Sequence, residues 1–175
     1  MRGLRGLGAR TSASILTSDS SEPRFARHRP GKRGRGAEGK TIVVGIQERD
    51  GDIRAQAVPD AKKETLRALV KGNVAPGSVV STDEFVSYGL LVPDGFGHGA
   101  VQHGGGEFAY YDDRNDVMHH TNNVENFWRL FKNSIRSTHI HVSAKHMDRY
   151  LAEFAFRSNK RVMRNAMFDL LIGAL

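Results

Sequence analysis

Acidic, amide and basic side chains fall at helical spacing between Met118 and Lys132. Glu125 and Lys132 are seven residues apart, almost two turns, so both would project from one side of a helix, roughly 10 Å apart. In that arrangement Glu125 could hold a metal ion while Lys132 contacts a phosphate of the same substrate. The helix itself is predicted over 121–136, because apolar residues recur with the spacing of one buried face: Val124, Phe127, Trp128, Phe131 and Ile135.

A purely structural interpretation of these residues competes with the chemical one. Asn122 is a good N-cap and Glu125 stands three residues later, which is the sequence pattern of a capping box. A capping box closes a helix and needs no ligand. The spacing leaves both interpretations open.

A second candidate acid, Asp83, follows the segment 78–82 (SVVST), which is predicted to form a short buried strand around Val79 and Val80. Chemical groups in α/β sheets gather at the carboxyl ends of strands, so Asp83 is expected in a site. Its alternative role is the N-cap of a helix over 85–90. Four histidines are weaker candidates for metal ligands because they are scattered and mostly in glycine-rich surroundings: His98, His103, His139 and His141.

The elements that would position these side chains are predicted from residue 41 onward. Two β-branched or alternating segments flank Asp50-Gly51, a strong signal for an antiparallel hairpin. The chain then alternates between helical and strand-like patterns, which indicates an α/β domain. The predicted strands cover 41–46, 52–58, 78–82 and 100–103, and the predicted helices cover 61–72, 121–136 and a segment starting at 143.

Composition narrows the class of protein. A chain of 175 residues is long enough for one domain with a core. It contains no cysteine, which excludes disulfides and thiolate metal sites. No apolar run approaches the roughly 18 residues of a membrane span, so we expect a soluble protein without a membrane partner.

The positive charge is concentrated at the N-terminus. The net charge is +7, and residues 1–40 account for all of it, with ten Lys or Arg against three acids. A basic segment of this kind is typical of a polyanion-binding arm, although a solvated tail without a partner has the same composition. The basic residues expected to contact a polyanion are Arg33, Arg35, Arg129, Arg136, Lys145 and Arg149.

Four motifs in this order resemble bacterial insertion-sequence transposases of the DDE type, in the ISXO2-like branch. They are 33–40 (RGRGAEGK), 81–84 (STDE) with Tyr88, 120–128 (HTNNVENFW) and 150–157 (YLAEFAFR). The resemblance covers about residues 30–160. It implies a ribonuclease-H-like, retroviral-integrase-like domain with a mixed sheet flanked by helices.

The resemblance also implies a chemistry. Mg²⁺ or Mn²⁺ ions held by carboxylates would support DNA strand cleavage and strand transfer by in-line phosphodiester displacement. Asp83 would be the second catalytic carboxylate, and Asn122 or Glu125 the third metal ligand, with Glu125 favoured. Lys132 or Arg129 would contact phosphate. The expected partners are the element ends and target DNA, and the expected setting is a homo-oligomer in the bacterial cytoplasm, associated with the nucleoid.

One departure from the family concerns its first catalytic aspartate, which lies on the opening strand in an Asp-Glu-Thr-aromatic context. The first thirty residues contain no such context, and Asp19 stands in a polar segment. We therefore expect an N-terminally truncated or altered member, divided into a basic disordered arm (1–35), a catalytic domain (36–160) and a helical tail (161–175). Whether the fold keeps its first strand stays open, and with it the choice between an active transposase and an inactive remnant that only binds DNA.

Overall fold

Five strands form one mixed sheet in the order β3-β2-β1-β4-β5. β1 pairs antiparallel with β2 and parallel with β4, β2 pairs antiparallel with β3, and β4 pairs parallel with β5. The structure, a computed structural model, describes residues 12–19, 41–83, 94–102, 106, 108–138, 142–161 and 172–173, with side chains in the first strand up to Ile15. The strands are β1 Ser12–Asp19, β2 Ile42–Glu48, β3 Ile53–Val58, β4 Val79–Asp83 and β5 Gly97–Val101.

The central strand β1 lies within the segment 1–35 that was predicted to be a disordered arm. The alternative of a missing first strand is therefore wrong, and so is the predicted disordered arm where it covers 12–19. Ala13 and Ile15 pack into the core while Ser12 and Ser14 are also buried. A strand paired on both sides keeps its backbone groups satisfied, so serines at alternate positions do not prevent it from forming.

Helix α1 (Lys63–Asn73) covers one face of the sheet. Its buried side chains, Leu66, Leu69 and Val70, are those that the sequence predicted to face inward. They pack in one apolar cluster with Ile15 of β1 and Val80 of β4. The predicted hairpin is confirmed as β2 and β3, with Asp50 at a positive φ of 55° in the turn.

Helices α2 (Asn122–Thr138) and α3 (Met147–Asn159) cover the opposite face. Both α2 and α3 were predicted from the sequence. A short 3-10 helix, Ala144–His146, directly precedes α3. α2 approaches the sheet closely at Gly45, where an added Cβ would lie 2.9 Å from the Trp128 ring and 3.2 Å from Val124. We call this side the α2 face.

Helix α3 also covers the free edge of β3. The Asn159 side chain accepts from the Ile53 amide and donates to the Ile53 carbonyl, each at 2.9 Å. The Asp148 carboxylate accepts from the Ala57 amide at 2.7 Å. Side chains thus replace the missing neighbour of an edge strand.

A small antiparallel hairpin, β6 (Tyr110–Asp112) and β7 (Val117–His119), leads into α2 and was not predicted. The edge strand predicted over 100–103 is observed as β5, which begins and ends earlier. The predicted helix over 85–90 and nearly all of the predicted tail lie outside the described residues. None of the helices in the described ranges is both long and apolar enough to cross a membrane.

Candidate active site

A band of buried polar residues lies on the α2 face where β1 meets β4. Asp83 ends β4 within this band and is only 5% exposed. Such burial of polar groups requires hydrogen-bond partners, because an unsatisfied polar group inside a protein is costly. We call this band the polar seam; no member is more than 9% exposed, and its members are Ser12, Ser14, Ser81, Asp83, His119 and Thr121.

His119 connects the seam to the β6–β7 hairpin. Its Nδ1 lies 2.8 Å from the Ser81 hydroxyl and its Nε2 lies 3.4 Å from the Asp112 carboxylate, while its ring stacks on Tyr110 at 4.9 Å. Burial lowers the pKa of His119 despite the carboxylate. A neutral imidazole then accepts from Ser81 and donates to Asp112.

These Ser, His and Asp side chains resemble a hydrolytic triad in type only. Ser81 and His119 have no solvent exposure, so no substrate reaches the hydroxyl. Gly99 leaves room for the imidazole, because a Cβ there would overlap the His119 ring and the Tyr110 hydroxyl. We conclude that His119 positions the start of α2 against β4.

Arg49 and Ser14 hold the same connection against β1. The Ser14 hydroxyl donates to the His120 carbonyl at 2.9 Å. The Arg49 guanidinium donates to the Met118 carbonyl at 2.6 Å and to His120 Nε2. Burial lowers the pKa of His120, and the positive charge of the Arg49 guanidinium lowers it further. A neutral imidazole can accept the hydrogen bond from Arg49. The segment preceding α2 is therefore tied to β1 through Ser14 and to β4 through Ser81.

Glu125 lies in the first turn of α2, half-buried and next to the seam. The Thr121 hydroxyl donates to its carboxylate at 2.5 Å, and the Glu125 amide donates to the Thr121 carbonyl at 3.0 Å. The capping box predicted on Asn122 is wrong in its details, because α2 already includes Asn122 and the buried Thr121 contacts Glu125 instead. Asn122 is exposed at the helix start.

Three cations follow Glu125 along one side of α2 at helical spacing: Arg129, Lys132 and Arg136. Arg129 and Arg136 are exposed and Lys132 is half-buried. Arg129 donates to the Asn126 side chain at 2.8 Å. We call these three residues the cationic stripe. Lys145 and Arg149 are exposed on the 3-10 helix and on α3, whereas Arg33 and Arg35 lie outside the described residues.

The oxygen donors near the seam fit a divalent ion in kind but not in number. Asp83, Glu125 and Asn122 offer the hard oxygens that Mg²⁺ prefers. Among the residues whose side chains are described, which in β1 end at Ile15, no three His, Asp or Glu come together to hold a metal ion. His98 faces the Thr82 hydroxyl at 2.9 Å, and the other three candidate histidines lie outside those ranges.

Sequence reasoning missed most of the polar seam. Ser14, Ser81 and Arg49 lie far from α2 in sequence, and nothing in their spacing indicates a shared site. The available signal was a run of polar residues in a strand predicted to be buried, as in Ser81, which directly follows Val79 and Val80. A polar residue facing a buried layer needs a partner, and here the partner is His119.

Comparison with known proteins identifies the family of this chain. The family model for the ISXO2-like transposase domain matches residues 18–159. An uncharacterized transposase-like protein of Haemophilus influenzae is 26% identical over 108 residues, which is 62% of this chain and 81% of that protein. No solved structure matches the chain significantly. Because the family match spans well over half of the sequence, the chain belongs to the family of ISXO2-like transposase domains.

Proposed function

We propose that this chain is a DDE-type transposase domain with a ribonuclease-H-like fold, which engages DNA on its α2 face. The observation that carries the proposal is the strand order β3-β2-β1-β4-β5, with Asp83 at the carboxyl end of β4 beside the central strand. This edge is where open α/β sheets place ligands. The start of α2, with Glu125 and Asn122, is tied to the same two strands.

The charges on α2 suit a phosphodiester substrate. The cationic stripe extends from Glu125 over eleven residues, about 16 Å of helix, so it can follow a DNA backbone away from the acids. Arg and Lys contacts of this kind supply most of the affinity of nonspecific DNA binding. Lys145 and Arg149 extend the positive surface, and Arg33 and Arg35 are further proposed contacts.

Strand cleavage and strand transfer are the proposed chemistry of the intact site. Asp83 and Glu125, with Asn122, would hold Mg²⁺ or Mn²⁺, whose role is to neutralise charge on the reacting phosphate. The proposal extends to a homo-oligomer acting on element ends and target DNA at the bacterial nucleoid. A complete site also needs a carboxylate from β1, and Asp19 is the acid available there.

The second candidate is a transposase domain that binds DNA without cutting it. Among the residues whose side chains the structure describes, the acids near the seam are too few for a metal site, and this favours the second candidate. The two functions share the DNA-binding surface and differ in whether β1 contributes an acid. DNA binding and DNA cleavage therefore need separate measurements.

DNA binding is tested by measuring the affinity for duplex DNA at increasing salt. The double variant Arg129→Gln/Arg136→Gln should bind more weakly and reduce the slope of log affinity against log salt by up to about 2, since each lost phosphate contact changes it by about 0.9. Lys62→Gln/Lys63→Gln, which removes two exposed cations beside α1, is the matched control. Equal losses in both variants, or no salt dependence in the wild type, would contradict the proposed surface.

Cleavage is tested by Mn²⁺-dependent nicking of supercoiled plasmid. If the wild-type chain nicks DNA, Asp83→Asn and Glu125→Gln should abolish the activity. Glu64→Gln, another glutamate in the first turn of a helix but on the α1 side, should not affect it. Nicking that survives Asp83→Asn contradicts the active site proposed here. Salt-sensitive binding without nicking selects the second candidate.

A further inference from the structure

The backbone register identifies the residue of β1 that lies beside Asp83. Ser14 pairs with Ser81 and Ile15 pairs with Thr82 in the parallel ladder of β1 and β4. One more step along both strands brings position 16 beside Asp83. The residue at that position is Leu16, whose side chain type offers no metal ligand.

The other neighbour of position 16 shows on which face it falls. Leu16 pairs with Gly45 of β2, and Gly45 faces α2, because its added Cβ would meet Trp128 and Val124. Directly paired residues of neighbouring strands share a face of the sheet. Position 16 therefore lies on the α2 face between Gly45 and Asp83, under the turn of α2 that also contains Glu125.

Asp19 occupies a different place on the same strand. It pairs with Ile42 and is three residues beyond position 16, about 10 Å along β1. Successive positions of a strand alternate between faces, so position 19 belongs with Ala13 and Ile15 on the α1 side. The distance and the alternation both separate position 19 from Asp83.

We infer that position 16 is where β1 must supply a carboxylate to share a metal ion with Asp83 and Glu125, and that Leu16 leaves this chain without a complete metal site. The inference rests on the proposed function and decides between its two candidates in favour of DNA binding without cleavage. It also states that one substitution restores the missing ligand. A carboxylate at position 16 converges with acids from a neighbouring strand and from the helix above.

The test compares the wild type with Leu16→Asp in the full chain. Leu16→Asn is the matched control, because it has nearly the same size and polarity as Asp but lacks the charge. Mn²⁺ binding is measured by titration calorimetry and by the shift of the melting temperature with Mn²⁺. We expect Leu16→Asp to bind Mn²⁺ at least about tenfold more tightly than the wild type or Leu16→Asn, since a third carboxylate adds ligand charge. The gain should disappear in Leu16→Asp/Asp83→Asn.

Plasmid nicking is the second measurement on the same proteins. Leu16→Asp should gain Mn²⁺-dependent nicking that the wild type and Leu16→Asn lack. No gain in Mn²⁺ binding in a folded Leu16→Asp variant would overturn the inference. Nicking by the wild type that Asp19→Asn abolishes would overturn it as well, because Asp19 would then be the first-strand acid.

If Leu16→Asp does not fold, the inference is tested by comparing the effect of Mn²⁺ on the melting temperatures of the wild type and Asp83→Asn. In that case Mn²⁺ should raise the melting temperature of the wild type no more than that of Asp83→Asn, and a larger rise in the wild type contradicts the inference. Salt-dependent DNA binding separates this outcome from failure of the proposed function. If the inference about position 16 fails but the wild type binds DNA, the transposase proposal still holds. If the wild type does not bind DNA, the transposase proposal itself is wrong.

Discussion

The α2 face of the sheet has two halves that are built differently. Over β2 and β3, helices α2 and α3 pack an apolar cluster that includes Trp128, Phe131 and Leu151. Over β1 and β4, the same face contains the polar seam, in which serine, histidine and acid side chains replace aliphatic ones. One helix, α2, contributes to both halves.

The difference teaches how this fold combines stability with a site. The apolar half is stabilised by the removal of apolar surface from water, and this effect does not depend on the direction of the contacts. The polar half depends on directional hydrogen bonds, each of which must be made. Helix α2 is anchored by Trp128 in one half and thereby holds Glu125 in place over the other.

Trp128→Ala should give the largest effect on stability. It removes a ring that is 3% exposed and packs edge-on against Phe127 and Phe131, so the free energy of unfolding should fall by about 3–5 kcal/mol. Urea denaturation followed by far-UV circular dichroism measures the loss. Trp128→Phe should lose less. An effect below that of the seam variants would mean that the apolar half does not anchor α2.

Gly99→Ala should damage the polar half. The new Cβ would overlap the His119 ring and the Tyr110 hydroxyl, and overpacking of this kind costs about 1–3 kcal/mol. Gly72→Ala is the control, because nothing lies within 4 Å of its added Cβ and alanine favours the helix. Thermal melts of both variants should therefore move in opposite directions. A neutral Gly99→Ala would show that His119 is not held as tightly as described.

Three histidines around β4 and the start of α2, one of them in the seam, should also make stability depend on pH near neutrality. Burial lowers the pKa values of His98, His119 and His120, so the unfolded chain binds protons first as the pH falls below about 6.5. Stability should be complete above that pH and decrease as the pH falls through the folded-state values. Urea midpoints between pH 7.5 and 5.5 measure this slope.

The variant His119→Gln sharpens that test. It should flatten the pH slope and lower stability at pH 7.5 by about 1–3 kcal/mol, because Ser81 and Asp112 lose their shared partner. A wild type whose stability rises on acidification through this range would contradict the neutral state of these histidines.

Asn159→Ala should give the smallest effect, at the outer edge of the apolar half. It removes both hydrogen bonds to Ile53, with an expected loss of about 1 kcal/mol. Amide hydrogen exchange of Ile53 should accelerate more than that of Val43 on the neighbouring strand. Equal acceleration at both amides would indicate global unfolding instead of local opening.

Local pattern predicted most of the elements correctly. The β2–β3 hairpin, α1, β4, α2 and α3 all lie where hydrophobic period and turn residues placed them, because these signals act between residues close in sequence. The failures are β1, whose serines obscured its alternation, and the β6–β7 hairpin, which is too short to show a period. β1 pairs with strands remote in sequence, and the hairpin is tied to the sheet by the remote contact between His119 and Ser81.

The sequence by itself determined the chemical types available: two acids, an amide and a row of cations around α2, with leucine at position 16. The tertiary structure alone decided which of them meet. Placing Asp83 beside position 16 requires a parallel pairing of strands more than sixty residues apart. Burying His119 against Ser81 requires the chain to return over that pair. Such contacts depend on loop closure and shared packing, which no local period encodes.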